Sequence, residues 1–145
     1  RMIPGLENAE FVRYGVMHKN SYLNSPLLLN DDYSLRANSH IYFAGQMTGV
    51  EGYVESAASG LAAGIYLYRA LQKKAKLVFP PETAIGALSH YISNPEVKHF
   101  QPMNINFGLI SPWDGPKIRN KKDKNSAIAA KSLKILENYK NFLHD

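Results

Sequence analysis

The stretch from residue 41 to residue 74 constrains the fold of this chain more than any other. Residues 41–44, Ile-Tyr-Phe-Ala, are short, apolar and aromatic, and read as a strand. A turn follows, with Gly45, Gly49 and Gly52 set around Gln46, Thr48 and Glu51. From about Gly52 to Lys74 the pattern is helical. Val54, Ala57, Ala58, Leu61, Ala62, Ile65, Leu67 and Leu71 make this helix apolar almost all round, which predicts that it is buried. Gly52, Ser56, Gly60 and Gly64 recur at every fourth position, a small-residue stripe that lets another backbone pack closely. Glu51 and Glu55 near the start, and Arg69, Lys73 and Lys74 near the end, suit the helix dipole.

A glycine turn at the head of a helix can do two things. It can present backbone N–H groups to an anionic or electron-rich ligand such as a nucleotide cofactor. It can equally be a tight connection with no ligand. The spacing is not the Gly-x-Gly-x-x-Gly fingerprint of dinucleotide sites, and the acidic residue expected about 20 positions on is missing. Gln46 stands where the turn opens. Its amide can bond ribityl hydroxyls or a pyrimidine edge, or satisfy the turn's own backbone.

The literal string narrows the choice. Residues 44–64, Ala-Gly-Gln-Met-Thr-Gly-Val-Glu-Gly-Tyr-Val-Glu-Ser-Ala-Ala-Ser-Gly-Leu-Ala-Ala-Gly, closely resemble the C-terminal FAD-contacting segment of the folate- and FAD-dependent tRNA (uracil-5-)-methyltransferases. Four further blocks resemble that family in the same order. They are Met2-Ile-Pro-Gly-Leu-Glu-Asn-Ala-Glu10, Val12-Arg-Tyr-Gly-Val-Met-His-Lys-Asn20, Pro80-Pro-Glu-Thr-Ala-Ile-Gly-Ala-Leu88 and Phe100-Gln-Pro-Met-Asn-Ile-Asn-Phe-Gly108. A sister family, the glucose-inhibited division protein A flavoenzymes that modify the wobble uridine of tRNA, shares Ala-Gly-Gln. It typically continues Asn-Gly-Thr-Thr-Gly-Tyr, whereas this chain continues Met47-Thr-Gly-Val-Glu-Gly-Tyr53.

The resemblance implies FAD as cofactor, methylenetetrahydrofolate as carbon donor, NAD(P)H as electron source and the T-loop uridine of tRNA as target. It implies an α+β piece of an α/β, Rossmann-like FAD-binding flavoprotein, with few short strands on the N-terminal side and a helical C-terminal half. On this reading residues 1–76 complete the FAD-binding domain and residues 77–145 form a helical, basic extension. The chain is then the C-terminal portion of a cytoplasmic protein. The N-terminal half of that protein would hold the ADP-binding fold and the catalytic cysteine. This chain has no cysteine, so it supplies no catalytic residue of that kind and is expected to be inactive alone.

The resemblance also implies roles for individual residues. Gly45, Gln46, Met47, Thr48, Gly49 and Val50 would face FAD. His18, Lys19 and Asn20 would lie at the flavin face, where an imidazole can cover the folate ring or relay a proton and the other two can bind folate or phosphate. Many family members have arginine at the position of Lys19, which keeps the charge but adds a fork that lysine lacks. Tyr14, Tyr53 and Glu51 are weaker candidates, with Tyr53 expected to pack at the helix start and Glu51 to cap it. Residues 104–108 match the family but take no chemical role beyond a possible tRNA-facing loop.

Charge points the same way without identifying the partner. The formal net charge is +5 and the pI near 9.4, with Lys117, Arg119, Lys121, Lys122 and Lys124 clustered ahead of Lys131, Lys134 and Lys140. Such a run attracts a phosphate backbone, or forms a solvated face. With no cysteine there are no disulfides or thiolate metal sites. His40, His90, His99 and His144 show no metal-ligand spacing, so no metal is expected. No apolar run is long enough to cross a membrane.

The remaining elements follow from local signals. Residues 11–16 read as a strand, and residues 27–29 and 33–36 as a hairpin turning at Asn30, Asp31 and Asp32. A helix is expected from Pro81 or Glu82 to near Ser93, then irregular chain over residues 101–113. Ser126 is expected to cap a last helix. Its inner face would carry Ile128, Ala129, Leu133, Ile135, Leu136, Tyr139, Phe142 and Leu143, and its wet face Lys131, Lys134, Asn138 and Asn141. Two other functions fit the residues: a wobble-uridine flavoenzyme of the sister family, and a non-catalytic tRNA- or protein-binding module.

Overall fold

A computed structural model describes residues 3–10, 12, 15 and 21–144. The order is α1 (Ser25–Leu28), β1 (Ser34–Leu35), β2 (Asn38–Tyr42), a 3-10 turn (Gly45–Thr48), α2 (Tyr53–Leu71), α3 (Ala84–Ser93) and α4 (Lys121–His144). β1 and β2 pair antiparallel, Ser34 opposite Tyr42 and Leu35 opposite Asn38, with an irregularity between the two pairs. This agrees with an α+β chain whose strands lie early and whose C-terminal half is helical. The expected strand over residues 11–16 falls almost wholly outside the described residues.

The hairpin forms, but with different arms. Asp32 Oδ1 accepts the Ser34 N–H at 3.0 Å, Asn30 O accepts the Tyr33 N–H at 3.0 Å, and Tyr33 sits at φ 65°. The Asn-Asp-Asp turn is therefore where its chemistry puts it. The arm before it is the helical turn α1 rather than a strand, because Pro26 lies at the helix start, where its fixed φ and missing N–H suit helix. Only Leu29 bridges across to Leu35. The strand pairing instead runs from β1 into β2, which starts at Asn38 and ends at Tyr42.

α2 ends at Leu71, the last of its apolar positions and three residues before the expected end at Lys74. Lys73 takes the left-handed conformation (φ 54°), its N–H bonds Ala70 O at 3.0 Å, and the Lys74 N–H bonds Arg69 O at 3.0 Å. This pair of bonds closes a helix C-terminus, usually with glycine where Lys73 stands. The helix is not buried all round. Ser59, Ala62, Ala63 and Tyr66 point into the core, while Val54, Leu61 and Leu71 are 79%, 65% and 71% exposed. A Cβ added at Gly60 or Gly64 would meet nothing within 4 Å, so among the described residues only the first half of the small stripe packs closely, with Ser56 Oγ donating to Val50 O at 3.2 Å.

Thr83 caps α3, its hydroxyl accepting the Gly86 N–H at 3.1 Å. The Thr83 N–H bonds Pro80 O at 2.9 Å, so Pro80 and Pro81 form a turn and the helix begins three residues later than Pro81. α4 begins earlier than expected. Asn120 Oδ1 accepts the Lys122 N–H at 2.8 Å and Asn120 O accepts the Lys124 N–H at 3.0 Å. Asn120 thus does the capping, and Ser126 lies inside the helix. Leu133 and Phe142, expected inside, are 67% and 57% exposed.

The core gathers Tyr33, Val50, Ala62, Ala63, Tyr66, Phe79, Leu88, Ile92 and Tyr139, from both sides of residue 76. Its spine is aromatic. Ring centroids of Tyr33 and Tyr66 are 6.2 Å apart, Tyr66 and Phe79 5.9 Å, and Phe79 and Tyr139 4.7 Å, within the range of favourable ring pairs. Tyr66 Oη accepts the Phe79 N–H at 2.9 Å, and Ser89 Oγ bonds Tyr33 Oη at 2.9 Å. Among the described residues the Tyr139 hydroxyl is buried without a partner, and burial pushes its pKa up to about 12. Among the described residues no helix is long and apolar enough to cross a membrane, and no group of three or more His, Cys, Asp or Glu could hold a metal ion.

Candidate flavin turn and basic groove

The glycine turn is built from three parts of the chain. Within it, the Gly45 N–H donates to Ser59 Oγ at 2.7 Å, and that hydroxyl donates to Ser56 O at 2.8 Å. Thr48 Oγ1 donates to Gly45 O at 2.7 Å, and the Gly49 N–H to Gln46 O at 3.0 Å. From one side, the Leu23 N–H donates to Met47 O at 2.9 Å. From the other, residues 100–104 run alongside. The Met103 N–H donates to Gly49 O at 2.9 Å and the Glu51 N–H to Met103 O at 3.1 Å, a parallel bridge between Val50 and Met103.

Side-chain contacts explain the glycines. Gly49 sits at φ 87°, and a Cβ there would run into the Phe100 ring. Gly52 sits at φ 88°, and a Cβ there would run into the Glu55 carboxylate and the Asn104 amide. Both positions need positive φ and empty space, which only glycine gives. Phe100 is itself held by Tyr22 (6.0 Å, edge-on) and Tyr91 (5.5 Å).

The turn therefore has an inside and an outside. Thr48, Gly49 and Val50 are buried, and the N–H groups of Gly45 and Gly49 are spent on protein acceptors. Gln46 and Met47 are exposed, Met47 by 53%. Behind them α2 begins with no side-chain cap, Gly52 standing at the capping position. The Glu55 carboxylate and the Asn104 amide lie against Gly52 at this end, Tyr53 is 98% exposed instead of packed, and Glu51 does not cap it. An outward amide beside an uncapped helix start fits an electron-rich ring such as the pyrimidine end of a flavin.

The other candidates lie elsewhere. His18, Lys19, Asn20 and Tyr14 fall outside the described residues. Lys117 and Arg119 precede α4, and Lys121, Lys122 and Lys124 lie on its first turns, all exposed. Among the described residues the ion pairs are Lys76 with Asp31 (2.5 Å) and Asp32 (3.4 Å), and Lys131 with Asp114 (2.7 Å). The five clustered cations therefore keep their charge unpaired. Beside them lies a groove of about 610 Å³ lined in part by Phe107, Asn120, Lys121, Lys122 and Asn125.

Sequence reasoning missed Ser59, Phe100 and Met103 as parts of the turn. Ser59 shares a helix with the flagged small stripe but carries no local mark. The block containing Phe100 and Met103 was visible as a family match, and only its pairing with residues 49–51 gives it a purpose.

The model of the family described as glucose inhibited division protein A matches residues 1–75, more than half of the 145 residues. A relative from Streptococcus agalactiae serotype Ia, named methylenetetrahydrofolate--tRNA-(uracil-5-)-methyltransferase TrmFO, is 61% identical over 142 residues, covering 98% of this chain and 32% of the relative. A relative of the same name from Streptococcus suis (strain 05ZYH33) is 61% identical over 139 residues, covering 96% and 31%. One from Streptococcus pyogenes serotype M4 is 59% identical over 137 residues, covering 94% and 31%. The chain thus spans about a third of the length of the curated relatives it matches. With a family model over more than half its length and the glycine turn built as described, this chain belongs to the glucose inhibited division protein A family.

Proposed function

We propose that this chain is the flavin-side part of a folate- and FAD-dependent tRNA uracil-5-methyltransferase acting on the T-loop uridine. The observation that carries the reading is the glycine turn, with Gln46 and Met47 turned outward at an uncapped helix start. It occurs in a chain 61% identical to relatives named for that reaction. The residues 47–53, Met-Thr-Gly-Val-Glu-Gly-Tyr, favour this reaction over the wobble-uridine chemistry of the sister enzymes.

In this reading bound FAD would supply the redox chemistry, with electrons from NAD(P)H and the carbon unit from methylenetetrahydrofolate. The chain's own residues do the holding. Gln46 bonds the cofactor's polar edge, and the Met47 thioether covers it. Gly45, Thr48, Gly49 and Val50 shape the backbone that brings these two groups forward. The start of α2 adds a positive dipole end there, which the Glu55 carboxylate against Gly52 already partly offsets. His18, Lys19 and Asn20, which lie outside the described residues, bind folate in this reading. Lys117, Arg119, Lys121, Lys122 and Lys124 meet tRNA phosphates.

The remainder of the parent protein supplies the rest. It carries the nucleophilic cysteine that this chain lacks. With residues 1–76 it completes a Rossmann-like FAD domain and covers the bare face of α2, while residues 77–145 extend toward tRNA. The division is one of function, since the core draws on both segments. A tRNA substrate places the protein in the cytoplasm.

The test uses the full-length parent with unmodified tRNA, methylenetetrahydrofolate and NADPH, without S-adenosylmethionine, followed by nucleoside mass spectrometry. The expected result is 5-methyluridine in the T-loop that vanishes when folate is omitted. A flavin-bound protein that yields a modified wobble uridine, or none, overturns the reaction and leaves the fold standing.

A further inference from the structure

We propose that the groove between the loop at Phe107 and the start of α4 binds one unpaired nucleotide of the tRNA. Its base stacks on Phe107 and its phosphate sits between Lys121 and Lys122. The inference rests on the tRNA reading above and adds a defined subsite to it.

Phe107 is 44% exposed, in a segment whose neighbour Asn104 lies against the glycine turn. An aromatic ring left in solvent beside two lysines is a poor core residue and a good stacking platform. The groove's volume of about 610 Å³ lies within the ~300–1,000 Å³ typical of small-ligand sites. Its lining combines three chemistries a nucleotide needs. The ring offers a flat apolar face. Lys121 and Lys122 offer positive charge that no carboxylate neutralises among the described residues. Asn125 offers a donor and an acceptor for a base edge, since the Asn120 side-chain Oδ1 is occupied by the Lys122 N–H.

Charge decides the occupant. Five exposed cations stand within eight residues, Lys117 to Lys124, against one acidic residue there, Asp123. The other nearby carboxylate, Asp114, is held by Lys131 at 2.7 Å. A basic rim around one aromatic ring matches a phosphate-linked base, and an unpaired base is the form of RNA whose ring face is free to stack.

The experiment measures tRNA affinity of the full-length flavoprotein at several salt concentrations. Phe107→Ala and Phe107→Leu should each raise Kd about tenfold with the salt slope unchanged, and Phe107→Tyr should restore it. Lys121→Ala with Lys122→Ala should flatten the slope by about two. The FAD absorption spectrum and the melting temperature should stay as in wild type for all four variants, which separates loss of stacking from loss of fold. Phe107→Ala and Phe107→Leu binding within twofold of wild type, while wild type binds tRNA with a steep salt slope, overturns the subsite alone. A wild-type protein that binds no tRNA at low salt overturns the tRNA reading, and this proposal with it.

Discussion

The glycine turn and the basic start of α4 are two candidate sites made in opposite ways. The turn is made by packing. Ser59, Leu23, Phe100 and Met103 bring three distant parts of the chain onto a few residues, and little of its backbone is free. The basic groove is made by charge. Among the described residues its lysines have no ion-pair partners, and its aromatic ring lies half in solvent. A packed site fails when its geometry changes by an atom, whereas a charged site weakens gradually with each charge removed or with added salt.

The sharpest way to break the first half of this contrast is Gly49→Ala. The new Cβ meets Phe100 at a positive φ, so we expect a loss of about 2–4 kcal/mol of stability, read by denaturant unfolding of the full-length protein. Phe100→Ala should cost about 2 kcal/mol by itself, because the half-buried ring leaves a cavity. Combined with Gly49→Ala it should cost less than the sum, since the clash is removed. A double-mutant cycle with no coupling would contradict the contact. Ser59→Ala leaves the Gly45 N–H without its acceptor and should cost about 1–2 kcal/mol, measured the same way.

The smallest effect lies away from both sites and serves as a control. Tyr139→Phe removes a buried, unpartnered hydroxyl and should stabilise by about 1 kcal/mol. The fold raises the pKa of Tyr139 from 10.0 to about 12, so it favours the protonated phenol. The stability this group contributes is full below about pH 10 and is lost as pH rises through 12. Tyr66 and Tyr33, raised by burial too, act in the same direction. Thermal melts from pH 9 to 12 should fall less steeply for Tyr139→Phe than for wild type.

Much of the turn was legible because its cause is local. Gly49 and Gly52 are glycine for reasons of φ and space, and an outward glutamine between glycines marks an opening toward solvent. The Asn-Asp-Asp turn was legible for the same reason, whereas the Thr83 cap was not, the prolines before it having suggested a start at Pro81 or Glu82. What failed to show was what depends on partners far along the chain. Nothing near Gly49 announces Phe100 or Met103, more than fifty positions on. The leucines at positions 27–29 suit helix or strand equally, and Pro26 settled the matter. Asn120 and Ser126 are both good caps, and the helix took the earlier one. The apolar belt of α2 predicted burial, yet among the described residues only one of its faces has something to pack on.

If the two regions do separate jobs, one paired measurement separates them. FAD content and tRNA affinity are determined on full-length Gly49→Ala and on full-length Lys121→Ala/Lys122→Ala. The account predicts that the first loses most of its FAD and binds tRNA as wild type does. The second should keep its FAD and bind tRNA about tenfold more weakly at low salt. A Gly49→Ala protein with full FAD content, or a lysine variant whose tRNA affinity is unchanged, would contradict it.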